Sequence, residues 1–149
     1  MKFVFLDIDG VLNDNASMEK KRELYLVEEL LIRRLNTICE VPGVVCVVSS
    51  TWRRRWPVPA LQMFLDKHGF TGRIVDRTPW FPNEERGVEI AAYIEECKQC
   101  GLQPESWVIL DDDEDMGPLA IFHVHTDGDI GLTNEDVDKA IAILTVGGR

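Results

Sequence analysis

"FVFLDIDGVLND", Phe3 to Asp14, is the stretch that decides the fold. Lys2 to Ile8 is an apolar run rich in β-formers, interrupted only near its end by Asp7, and it suits a strand buried on both faces of a parallel sheet. Asp7 and Asp9 then stand one residue apart at the mouth of that strand, and Gly10 follows at once. Two carboxylates about 4 Å apart repel by about 4 kcal/mol at an effective dielectric near 20. Aspartates placed there are tolerated if they hold a cation or do chemistry.

Outward from this strand, helices and strands alternate. Glu19 to Glu40 has helical periodicity, with Leu24, Val27, Leu30, Leu31, Leu35 and Ile38 on one side, and Pro42-Gly43 stops it. Val44 to Val48 is a second buried strand, leading into Ser49-Ser50-Thr51. A helix is predicted over Val58 to His68, closed by Gly69, then a short strand over Arg73 to Val75. The next helix starts near Asn83 as N-cap and runs to about Cys100. Ser106 to Leu110 is a third strong strand entering "DDDEDM". Ile121 to His125 is a further strand, and Thr133 caps a last helix. This order implies βαβ units and a three-layer αβα Rossmann-like parallel sheet, in one domain over residues 1–149.

Composition agrees with a globular chain: of 149 residues, 45% are hydrophobic and 28% charged. No apolar run approaches the roughly 20 residues that span a bilayer, and the N-terminus lacks a secretory signal, so a cytoplasmic protein is expected. A net charge of −10 argues against a broad basic face for nucleic acid but leaves room for a local basic patch. Cys97 and Cys100 form a CxxC with no second pair to complete a zinc site, and Cys39 and Cys46 read as small buried apolar residues. His123 and His125 alternate along the last strand and read as structural.

In an open parallel sheet, ligands bind beyond the carboxyl ends of the strands. Three strand ends carry polar residues out of keeping with the runs before them: Asp7 and Asp9, Ser49, and Asp111 with Asp112. If those strands are neighbours, the carboxylates converge and need a divalent cation; Mg²⁺ is expected, since it accepts one or two carboxylates together with waters and a substrate phosphate.

At these residues the sequence resembles the haloacid dehalogenase (HAD) superfamily. "LDIDGVL" matches its DxDG[TV] nucleophile motif, "VVSST" its second motif and "VILDDDEDM" its terminal acidic motif, in the right order and each after a predicted strand. "SSTWR", "DDDEDM" and "IGLT" are similar to the compact HAD domains associated with RNA-repair proteins. The resemblance implies a HAD-type fold and a Mg²⁺-dependent phosphomonoester hydrolase. Asp7 would attack phosphorus to form an aspartyl-phosphate. Asp9 would be general acid and then base, its proton favoured by burial and a neighbouring carboxylate, with its backbone carbonyl on Mg²⁺. Ser49 would bind the phosphoryl oxygens, helped by backbone N–H groups at Ser50 or Thr51. Arg86 takes the place of the phosphate-stabilising cation, with Arg77, Arg53 and Arg54 as competitors. Asp111 and Asp112 would complete the metal site, Asp115 being a rival ligand.

Neither interval between the motifs is long enough for a substantial cap, and the resulting open site resembles that of superfamily members acting on phosphorylated macromolecules or exposed termini. "TWRRRWP", Thr51 to Pro57, directly follows the phosphate-binding serine. Trp52 and Arg53 are therefore candidate contacts for a phosphorylated nucleic-acid end, through stacking and phosphate pairing; the other reading packs Trp52 and Trp56 against the sheet, with the arginines solvated or balancing the acidic cluster. Trp80-Phe81 is a second candidate wall of the cleft. The alternative functions are a non-catalytic phosphate or Mg²⁺-binding module, and a receiver-like phosphoacceptor domain.

Overall fold

The computed structural model describes residues 1–21 and 26–146. Its strands are β1 (Lys2–Leu6), β2 (Val44–Val48), β3 (Ile74–Arg77), β4 (Ser106–Asp111) and β5 (His123–His125). Its helices are α1 (Asn15–Lys21), α2 (Glu29–Cys39), α3 (Val58–Lys67), α4 (Arg86–Gln99) and α5 (Asn134–Thr145), with 3₁₀ turns at Thr51–Arg54 and Gly117–Phe122. The five strands form one sheet in the order β3-β2-β1-β4-β5, and every pairing is parallel. Signalling receivers are wound in the order 2-1-3-4-5, so this topology overturns the receiver-like alternative.

Alternation along β1 sends its side chains to two cores. Val4 and Leu6 pack with α2, α3 and α5 through Leu35, Leu65 and Ala140. Phe3 and Phe5 pack on the opposite face with Ile90, Tyr93 and Ile94 of α4. Each fully buried side chain of this size contributes about 1.5–3 kcal/mol, so both faces of β1 stabilise the fold.

Three sequence expectations need correction. Residues 19–40 do not form one helix: Val27 and Glu28 lie between α1 and α2, and the Glu28 N–H donates to Leu12 O at 2.8 Å, tying the chain back to the loop after β1. Leu24 lies outside the described residues. Asn83 is not the cap of α4; it takes φ 64°, a left-handed turn conformation that asparagine tolerates, and α4 starts at Arg86 with Glu85 as N-cap. Ile121 and Phe122 belong to a 3₁₀ turn, which leaves β5 three residues long. Thr133 does cap α5, in a reciprocal capping box with Asp136.

Candidate active site

Register places the polar residues in a row. Leu6 pairs with Val48 on one side and Leu110 on the other, so Asp7, Ser49 and Asp111 lie at one level at the carboxyl ends of the three strands. The Asp7 N–H donates to Leu110 O at 3.0 Å and the Ser49 N–H to Leu6 O at 2.9 Å, which holds that level. Val48 pairs with Arg77, so Thr78, the residue after β3, extends the row. Asp7, Ser49 and Asp111 share the face of Phe5, Val47 and Ile109, which is the face covered by α4. Arg86, at the first turn of α4, reaches the row from above.

The acidic part of the row is crowded. Asp7, Asp111 and Asp112 each offer a carboxylate oxygen within 4.8 Å of the others. Arg86 Nη1 stands 3.9 Å from both Asp7 Oδ1 and Asp111 Oδ2. Burial, reinforced by the Asp111 charge, holds the Asp7 carboxyl well above its ordinary range, while Arg86 opposes it. Asp111 is pushed up to about 6, again chiefly by burial. Three carboxylates against one guanidinium leave negative charge in excess, and a hard divalent cation with oxygen ligands fits that donor set. Asp7, Asp111 and Asp112 are the side chains that would hold it.

Among the described residues, Ser49 Oγ, Arg86 Nη1 and Asp111 Oδ2 are buried here without a hydrogen-bond partner, as is Oδ1 of Asp115, whose other oxygen accepts from the Arg86 N–H. Groups of this kind are rare in folded chains, and each calls for a catalytic role or for a water or ion that completes it. A hydroxyl and a guanidinium N–H suit an anion, and the carboxylate oxygen suits a cation.

The glycine after Asp9 has a steric cause. Gly10 has φ 81°, and a Cβ there would overlap the Asp112 carboxylate, so the first loop and the acidic motif touch through bare backbone. Thr126 Oγ1 donates to Gly10 O at 2.8 Å and holds that contact. Asp9 is set by two donors on one oxygen: Trp52 Nε1 at 3.1 Å and Asn13 Nδ2 at 3.0 Å, both to Oδ1. Asn13 also accepts from the Gly10 N–H and donates to Leu26 O, so one side chain ties the loop together.

The rest of the acidic run is scaffold. Asp115 Oδ2 accepts from the Arg86 N–H at 2.9 Å and caps α4, so it is not a member of the carboxylate cluster. The Asp113 N–H donates to Asp111 Oδ1 at 2.9 Å and fixes that side chain. His123 and His125 ring nitrogens bond the backbone oxygens of Asp111 and Asp112, the structural part expected of them.

Trp52 and Arg53 turn inward, contrary to a part in substrate contact. Trp52 is 3% exposed and packs with Trp56 and Phe64. Arg53 is 4% exposed and uses all five N–H donors within the chain. They go to the carbonyls of Ser49, Ser50, Thr78 and Pro79 and to Glu89 Oε1 at 2.8 Å. Ser50 is buried, and its hydroxyl accepts from the Trp52 N–H to cap the 3₁₀ turn. Arg53 thus shapes the loop that presents Ser49.

Glu89 escaped the sequence reading. It accepts from Arg53 and from the Phe81 N–H at 2.8 Å, and its Oε1 lies 3.8 Å from Arg86 Nε. The signal was a charged residue on the same stripe of α4 as Ile90, Tyr93 and Ile94. Asn13 gave no such signal, because asparagine is common in loops.

No helix among the described residues is long and apolar enough to cross a membrane. No curated protein and no solved structure matches the chain. Residues 3–137 match the HAD domain in Swiss Army Knife RNA repair proteins, a span that takes in β1, the Ser49 loop, α4 and the acidic motif. With that match over most of its length, and with the three motifs meeting at one row of strand ends, the chain belongs to the HAD domain family of Swiss Army Knife RNA repair proteins.

Proposed function

We propose that this domain is a Mg²⁺-dependent phosphomonoester hydrolase working through an aspartyl-phosphate at Asp7, with a phosphorylated nucleic-acid end as substrate. The observation that carries the reading is the set of unpartnered buried atoms, Ser49 Oγ, Arg86 Nη1 and Asp111 Oδ2, gathered around Asp7. A phosphoryl group would take hydrogen bonds from Ser49 and Arg86. The cation, when held by Asp7, Asp111 and Asp112, would offset the charge of phosphate and carboxylates together.

In the first half-reaction an Asp7 carboxylate oxygen forms a bond to phosphorus as the bond from phosphorus to the leaving oxygen breaks. Asp9 gives that oxygen its proton. Because Trp52 and Asn13 both donate to Oδ1, the transferred proton belongs on Oδ2. In the second half-reaction Asp9 takes a proton from water, the water oxygen bonds phosphorus, and the Asp7 carboxylate leaves with inorganic phosphate as product.

The nucleic-acid end is supported by the family description and by the basic surface beside Ser49. The test is phosphate release from 3′- and 5′-phosphorylated oligonucleotides, with Mg²⁺ or with chelator. Metal-dependent release is the expected result. Stabilisation by Mg²⁺ with no release from any phosphorylated substrate would instead make the domain a binding module.

A further inference from the structure

A cleft of about 470 Å³ opens beside the phosphate loop, lined by Arg53, Arg54, Arg77, Thr78, Pro79 and Trp80. We infer that it is the seat of the nucleotides next to the terminal phosphate, so that the preferred substrate is single-stranded nucleic acid held by Trp80, Arg54 and Thr78. This rests on the reading above for what lies at Asp7, but its own evidence is separate.

The first observation is continuity. Thr78 follows Arg77, the register partner of Val48, so it lies one strand beyond Ser49 in the row that contains Asp7. Two strand spacings put it about 10 Å from the nucleophile. A stacked strand advances about 3.4 Å per nucleotide, so the cleft lies within about three nucleotides of the reacting phosphate.

The second observation is an orphaned donor. Thr78 is 3% exposed, yet its Oγ1 has no hydrogen-bond partner, and it lines the cleft. The Arg53 Nε–H already occupies the Thr78 carbonyl, so the residue is held in place with its hydroxyl left over.

The third observation is the platform. Trp80 is 47% exposed, an unusual position for a large aromatic ring, and the Arg54 guanidinium lies 3.7 Å from its centroid. The Arg54 guanidinium lies over the ring and takes one of its faces, so a base would stack on the opposite face while Arg54 pairs with the adjoining backbone phosphate. Arg54 and Arg77 are exposed cations on a chain of net charge −10, so they offer a polyanion a local positive site at the cleft. Arg77 is anchored by donating to Arg53 O and Trp56 O, so its charge is fixed at the cleft wall.

The experiment is binding of a short, unphosphorylated poly-uridine strand to the full chain, read by fluorescence anisotropy across salt concentrations. Trp80→Ala should weaken binding about tenfold, and Trp80→Phe, which keeps a stacking ring, should recover most of it. Arg54→Gln should lower the slope of log affinity against log salt by about 0.7, the contribution of one single-strand phosphate contact. Lys139→Gln on α5 should change neither. The inference is overturned if the wild-type chain does not bind the strand. It is equally overturned if binding ignores Trp80→Ala and Arg54→Gln, or if a phosphoserine peptide binds as well with the same dependence. Failure is distinguishable from failure of the catalytic reading. Hydrolysis of phosphorylated strands that is indifferent to these variants removes the cleft and keeps the phosphatase; strand binding that needs them, without hydrolysis, does the reverse.

Discussion

The two halves of the strand-end row treat charge in opposite ways. On the β2–β3 side, Arg53 is buried with five hydrogen bonds and a carboxylate at 2.8 Å. On the β1–β4 side, Asp7 and Asp111 are as deeply buried, yet Asp111 Oδ2 and the facing Arg86 Nη1 lack hydrogen bonds. A buried ion with its hydrogen bonds made is architecture, whereas ions paired only at 3.9 Å keep bonding capacity that a ligand can use. Removing a charge from each half should therefore break different things.

The largest effect is expected in the unmatched half. Asp7→Asn should lower phosphate release by at least about a thousandfold, as loss of a nucleophile does. It should leave the melting temperature unchanged or raised, because it removes a buried carboxylate crowded by Asp111 and Asp112. Activity assays beside a thermal melt separate the two readouts. Activity near wild type would move the nucleophile elsewhere.

In the matched half, Glu89→Gln should cost stability. It leaves the Arg53 guanidinium buried without its counter-charge, a loss of about 3–5 kcal/mol. Urea denaturation measures it, and the exposed Lys139–Glu135 pair at 3.5 Å is the control whose removal should be scarcely measurable. A small loss for Glu89→Gln would mean that water replaces the carboxylate, and the contrast between the halves would weaken.

The next effect is in pH. Asp7 and Asp111 have folded-state pKa values above the ordinary 3.8, Asp111 at about 6. Between those values the folded chain keeps protons that the unfolded chain has lost, so without metal the folded state is stabilised less as pH rises through that window. For Asp111 alone the difference is about 3 kcal/mol at most. A bound divalent cation offsets the repulsion, so the gain in melting temperature on adding Mg²⁺ should grow from about pH 4.5 to 7. A gain that is flat in pH would detach the cation from these carboxylates.

How far the site was legible follows the same division. Asp7, Ser49 and Asp111 interrupt apolar strands, and interruption is a local signal that survives in one dimension. The choice among three consecutive arginines was not local. Arg53 goes inward because carbonyls of the Ser49 loop and of Thr78 meet there with Glu89, 36 positions away, while Arg54, one residue on, faces the cleft and Trp80. The helix over residues 19–40 failed for a related reason: its periodicity was real, but the Glu28 N–H is claimed by Leu12 O. Asn83 suits a left-handed turn as well as a cap, and composition cannot separate the two.

Trp52 joins the halves, and its variant is the smallest effect and the finest test. It sits in the 3₁₀ turn behind Ser49, packs with Trp56 and Phe64, and reaches across to Asp9 through Nε1. Trp52→Phe keeps most of the packing and removes that donor, so Asp9 retains only the Asn13 contact on Oδ1. A lost hydrogen bond is worth about 0.5–1.5 kcal/mol, so turnover should fall by up to about tenfold. Because the residue positions the acid and touches no phosphate, the fall should lie in kcat with KM little changed. If only stability changes, Trp52 is core alone and Asp9 is positioned by Asn13. If KM rises instead, the tryptophan lies closer to the substrate than its 3% exposure allows, and the buried half of the row would have to open.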